Sequence, residues 1–244
     1  MAQRIMAWTM AALCIVLTSL VWGPTVSAGL DEHQAVVTML NAAYGPYNPT
    51  RKGWGVAHEG LTYTFRVLDQ RKVSTPYGER LYVLTAGDAP EEAAAHATPG
   101  LLGAFIGVEN DSGIHTIAAA RALPFGGWGR APETFAFQQF GPDAYFGWII
   151  VSGYTAQRHT SISKTMLLPY GKTVSERGSL TTCDADFTLA VDTTATGVKV
   201  YPLIATITHE GKSRKGRTTT VRIPFDVQSF TYRSPAAFSG GCAQ

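Results

Sequence analysis

Two interruptions in the stretch 123–168 carry the side chains best suited to hold a ligand. The first is Phe125-Gly126-Gly127-Trp128-Gly129-Arg130-Ala131-Pro132. Its glycines and its proline exclude a regular element, and Trp128, set between two glycines, cannot be buried by its own neighbours. An indole left in solvent offers a flat apolar face with one N–H donor, which suits a sugar or a peptide. The second interruption is the turn 155–159, with Gln157, Arg158 and His159. Trp128, Arg130, Gln157, Arg158 and His159 are therefore the candidate ligand-binding residues. Trp54, Trp148, Tyr145 and Tyr154 could widen such a face, but most of them read as core.

Catalytic and metal chemistry find little support. His33, His58, His96, His115, His159 and His209 never fall at ligand spacing, so no metal site is expected. Asp184-x-Asp186, with Asp192 beyond, could bind Ca²⁺ only if a loop closed round it, and reads as turn and strand-end aspartates. No Gly-x-Ser-x-Gly elbow is present, because Ile150 stands where Ser152 would need a glycine. Gly211-Lys212-Ser213 has the end of a phosphate loop, but Thr206 occupies the place of its first glycine. Lys212, Arg214, Lys215 and Arg217 read as a solvated hairpin tip. Ser239-Gly240-Gly241-Cys242 resembles the Ser-x-Gly-Cys core of L,D-transpeptidases, which implies a cysteine nucleophile with a histidine. No arginine follows it, His209 is about 30 residues upstream, and Cys242 is wanted for a disulfide. No catalytic residue and no cofactor is expected, so the reading leans away from an enzyme.

The first 28 residues are read as a signal peptide. Arg4 is their one charged side chain, an uncharged apolar run fills 5–20, and Val26-Ser27-Ala28 suits cleavage after Ala28. That run is shorter than the ~20 residues of a spanning helix. Leu13 stands before Cys14, where lipoprotein processing wants a small residue. The mature chain 29–244 would then be periplasmic or extracellular, with no membrane span. It keeps 19 of the 20 Lys+Arg against 18 Asp+Glu, or about +1. That balance gives no reason to expect nucleic acid. Its two cysteines, Cys183 and Cys242, are expected to pair, closing a loop of roughly 60 residues for about 4 kcal/mol.

The elements that must position these groups are mostly strands. Residues 31–44 read as a helix, with Asp31 and Gln34 as a capping box, Val36, Met39, Leu40 and Ala43 on one face, and Gly45-Pro46 as the stop. Strands are expected at 61–67 and 81–85, a short helix within 90–96, and a hairpin of 101–108 with 114–120. Phe135 and Phe137 share a strand face, Phe140 falls out of register into a turn, and 145–151 reads as a central strand. Further strands follow at 161–168, 179–183, 187–191, 198–208 and 218–225, with a short one at 230–232.

The expectation is thus one mainly β domain over 29–244, an antiparallel sandwich or open barrel or meander with one N-terminal helix. A signal peptide, a helix just after it, Phe140-Gly141-Pro142 and Gly153-Tyr154-Thr155-Ala156-Gln157 resemble uncharacterised exported bacterial β-rich proteins. The resemblance carries no activity. The expected function is a non-enzymatic ligand- or partner-binding module of the cell envelope or exterior, with an envelope glycan or protein as partner. A secreted hydrolase or transferase with dispersed catalytic residues, and a structural envelope protein without ligand, are the alternatives.

Overall fold

The computed structural model describes residues 31–156, 159–209 and 217–238. Within them the chain is mainly β with one α-helix. The helix is α1 (Glu32–Tyr44). The strands are β1 (Trp54–His58), β2 (Leu61–Thr75), β3 (Gly78–Asp88), β4 (Gly100–Asn110), β5 (Gly113–Phe125), β6 (Thr134–Gly141) and β7 (Tyr145–Ala156). They continue with β8 (His159–Tyr170), β9 (Thr173–Cys183), β10 (Ala185–Val191), β11 (Leu203–His209), β12 (Thr218–Ile223), β13 (Phe225–Asp226) and β14 (Thr231–Tyr232). Among the described residues no helix is long and apolar enough to cross a membrane.

Ala35, Val36, Met39 and Leu40 are the buried residues of α1, the stripe that a 3.6-residue period puts on one side. Gly45 ends the helix at φ +90°, and its N–H donates to the Asn41 carbonyl at 3.0 Å. Asp31 stands at the N-cap, but its side chain makes no capping bond. The Gln34 amide donates to Thr38 Oγ1 instead, so the expected capping box does not form.

β1–β5 form one antiparallel meander and β6–β9 another. They join side by side through β5 and β9 into one nine-stranded sheet. That joint departs from the antiparallel pattern. It is parallel and narrow, with the Ala119 N–H donating to the Lys172 carbonyl at 3.1 Å. The sheet then doubles over. Tyr82 of β3 lies 5.2 Å from Phe137 of β6 and 5.9 Å from Trp148 of β7, ring centre to ring centre, although these strands are far apart in the sheet order.

Two wings therefore face each other across Tyr82, Leu102, Ile106, Trp148, Ile150 and Leu167. α1 covers the outer face of the first wing over Phe65, Leu81, Val83 and Phe105. A three-stranded sheet, β10–β12, covers the outer face of the second with Phe187, Ala205 and Ile207 against Ile149, Met166 and Leu168. β3, β4, β7 and β8 are thus apolar on both faces, which is why 145–151 reads as an unbroken apolar run.

Several boundaries differ from the sequence pattern. β2 runs on through the polar residues 69–75, because β3 pairs with it as far as Thr75 and a bulge at Leu68 absorbs the change of register. Phe140 is not in a turn. A bulge between Gln139 and Gly141 rotates it into the core beneath the small sheet, where it is fully buried. Within 90–96 only a single 3₁₀ turn, Glu91–Ala93, forms. The described residues of the expected turn at 155–159 are strand, since Thr155 and Ala156 continue β7 and His159 opens β8.

Candidate ligand-binding cleft

At one end of the folded sheet β3 and β5 finish, β4 and β6 begin, and the β7–β8 hairpin extends past them. An open cleft of about 550 Å³ lies there. Its walls are the loop 126–133 and the hairpin, and His96 reaches in from the connection between β3 and β4.

The loop is pinned on several sides. The Ala89 N–H donates to the Gly129 carbonyl at 2.8 Å, and the Gly129 N–H donates to the Thr98 carbonyl at 2.7 Å. The Arg130 N–H closes the turn onto the Gly127 carbonyl at 3.1 Å, and the Ala131 N–H donates to Asp88 Oδ1 at 3.2 Å. Trp128 sits at the apex with φ +57°, a left-handed conformation that costs a non-glycine residue on the order of 1 kcal/mol. Burial offsets little of that cost, since the residue is 59% exposed.

Three aromatic rings meet over the cleft. His96 stands perpendicular to Trp128 at 5.3 Å and perpendicular to Tyr154 at 5.2 Å. Its Nε2 lies 2.8 Å from the Tyr154 hydroxyl. The floor follows from strand register. Trp148, Ile150, Ser152 and Tyr154 alternate onto the inward face of β7, opposite Leu167, Thr165, Ser163 and Ser161 of β8. The apolar core thus gives way to hydroxyls toward the open end. Ser163 Oγ lies 2.7 Å from Thr181 Oγ1, and Thr165 Oγ1 lies 2.9 Å from Ser179 Oγ, extending the hydroxyl ladder to β9.

Among the described residues the charged groups at the mouth are matched. Arg130 Nη1 is 3.4 Å and Arg66 Nη2 is 3.7 Å from Asp88 Oδ2, and Arg66 Nη2 also reaches Glu133 Oε1 at 2.5 Å. These contacts bridge β2 and β3 of the first wing to the start of β6, and among the described residues no strand pairing joins β6 to that wing.

Of the residues expected to bind, Trp128 and Arg130 line this cleft. Gln157 and Arg158 lie outside the described residues. His159 is on the adjoining hairpin end but not in the cleft wall. Its Nδ1 lies 2.5 Å from Asp184 Oδ2, and the Thr160 N–H donates to Asp184 Oδ1 at 2.9 Å. His159, Cys183 and Asp184 bring ligand atoms within 4.8 Å of one another, but Cys183 is already engaged, so the trio does not offer three free ligands. Cys242, residues 1–28 and the basic positions Lys212, Arg214 and Lys215 also lie outside the described residues.

The bonds from His159 and then from the Thr160 N–H hold the Asp184 carboxyl below its ordinary value. A depressed carboxylate contributes above its unfolded pKa and loses that contribution as pH falls through the folded one. The Thr160 amide resonance is accordingly expected to titrate with a midpoint below the usual carboxylate value of about 4. Asp184→Asn should abolish the step; a midpoint at or above the usual value would contradict this pairing.

Sequence reasoning missed His96, Asp88, Glu133, Arg66 and the serine floor. His96 is distant in sequence from both its partners, with no motif to flag it. The serines did leave a trace: in Trp148-x-Ile150-x-Ser152-x-Tyr154 the inward face turns polar where a strand inside a closed core would stay apolar. Comparison with family models, with curated proteins and with solved structures finds no match for this chain.

Proposed function

We propose that this chain is an exported, non-enzymatic binding module of the cell envelope or exterior, and that the cleft between the loop 126–133 and the β7–β8 hairpin is where it holds its ligand. The observation that carries this reading is Trp128, a large apolar side chain held in solvent on a pinned loop at an unfavourable backbone angle. Strain with little burial is accounted for if the partner of the indole is a ligand. Binding is favoured over catalysis by how the two groups suited to act as a base are used. His96 Nε2 is bonded to the Tyr154 hydroxyl, and Glu133 is held by Arg66, so neither is turned to a serine nucleophile.

Trp128→Ala is expected to cut retention of envelope-fraction ligands on the immobilised protein by roughly tenfold or more, as for an aromatic anchor. Stability should change by no more than about 0.5 kcal/mol, because the side chain packs into no core. Equal retention by mutant and wild type, with matching thermal transitions, would sink the reading.

Export and a Cys183–Cys242 bridge belong to the same proposal. The secreted chain should have the mass of residues 29–244 less two hydrogens, and both thiols should resist labelling until a reductant is added. A chain that retains residues 1–28, or two thiols that label at once, would refute those parts. The bridge would leave no thiolate beside His159, which removes cysteine catalysis at that corner.

A further inference from the structure

We propose that the ligand is an uncharged saccharide, stacked on Trp128 and hydrogen-bonded by Ser152, Ser161 and Ser163. This rests on the cleft being the binding site and adds the chemistry of what it selects.

The aromatic part comes first. The contact from His96 to Trp128 is perpendicular, at 79°, and a perpendicular neighbour covers at most one face of the indole. The other face carries the negative side of the ring quadrupole. The C–H face of a pyranose carries weak positive charge and a flat apolar outline, and it matches that surface. Tyr154, 48% exposed and fixed through His96, gives a second aromatic edge a short distance along the cleft.

The polar part selects in the same direction. Serine hydroxyls both donate and accept, as sugar hydroxyls do, and each can adjust to a ring hydroxyl by rotating. Ser152, Ser161 and Ser163 stand on one face of two paired strands, a rigid array at fixed spacing. Ser163 has one lateral bond to Thr181 and retains capacity for another.

Charge narrows the class further. Arg66 and Arg130 at the mouth are matched by Asp88 and Glu133. A phosphate or carboxylate ligand would compete with a carboxylate already beside each guanidinium, and a cationic ligand with a guanidinium already beside each carboxylate. A neutral polyol leaves these pairs intact. The volume of about 550 Å³ falls within the ~300–1,000 Å³ usual for small-molecule sites, and the open side lets a longer chain run out of the cleft.

The test is a titration of the whole mature protein with cellotetraose, maltotetraose and chitotetraose, alongside tetraalanine and inorganic phosphate. Tryptophan fluorescence and amide chemical shifts are followed, and the sugars are recovered and sized. At least one tetrasaccharide should shift the amides of Ser152, Ser161 and Ser163, with an affinity unchanged between low and high salt. Trp128→Ala should weaken it about tenfold or more, while Trp128→Phe, which keeps a stacking ring, should recover part of the loss. Shifts at these amides with phosphate or tetraalanine but with no sugar would overturn the saccharide assignment and leave the binding module standing. Shortened sugars would do the reverse, keeping the saccharide and overturning the non-enzymatic reading. No response to any probe would overturn the saccharide assignment.

Discussion

Trp148→Ala is expected to destabilise the protein by about 3–5 kcal/mol, the range for truncating a fully buried aromatic. Trp148 is 0% exposed and stands between the wings, 5.6 Å from Phe137 and 5.9 Å from Tyr82. The space it leaves cannot easily collapse. Phe137 and Phe146 are stacked at 5.2 Å on one side, and behind β7 the next residue, Ile149, is fixed against the small sheet. The indole nitrogen has no hydrogen-bond partner among the described groups, so truncation removes packing and no bond. Trp148→Phe should therefore cost well under half as much, since it keeps an aromatic ring and deletes a buried unpaired N–H. Denaturant midpoints at constant slope would measure both. A loss under about 1 kcal/mol for Trp148→Ala would mean that the wings do not pack through this residue.

The residues that support that expectation show how much of the architecture the sequence made legible. Phe135 with Phe137, and the unbroken run 145–151, told that β6 has one inward face and that β7 is buried on both. The helix stripe at Val36, Met39 and Leu40 was equally plain. The doubling of the sheet was not, because the joint that permits it is a narrow parallel contact at Ala119 and Thr173, which leaves no period in the sequence. Phe140 was misplaced because a one-residue bulge inverts the face of everything after it. In the site, Trp128 could be singled out, since glycines on both sides deny it local burial. Its companions could not, because His96, Asp88 and Ser163 come from separate connections and strands that only the folded sheet brings together.

Gly100→Ala is the second large effect expected, and it reaches both stability and binding. Gly100 opens β4 and pairs with Phe125 at the end of β5. A β-carbon there would come within 3.0 Å of the backbone between Arg130 and Ala131, a spacing that real side chains essentially never show. Neither side can readily yield. Gly100 is fixed in the ladder, and the Ala131 N–H is tied to Asp88. Overpacking of this kind costs about 1–3 kcal/mol. The segment best able to give is the loop, so Trp128 should be displaced and ligand retention should fall along with stability. Gly113→Ala serves as the contrast. Its φ of +108° strains a side chain, but nothing lies within 4 Å of the added carbon, and it sits at the tip of the β4–β5 hairpin, the end of that pair opposite Gly100. It should cost about 1 kcal/mol or somewhat more and leave retention untouched. If Gly100→Ala lowered the denaturation midpoint and kept full retention, the placement of the loop and of Trp128 on it would not govern binding, which would have to be sought elsewhere on the hairpin.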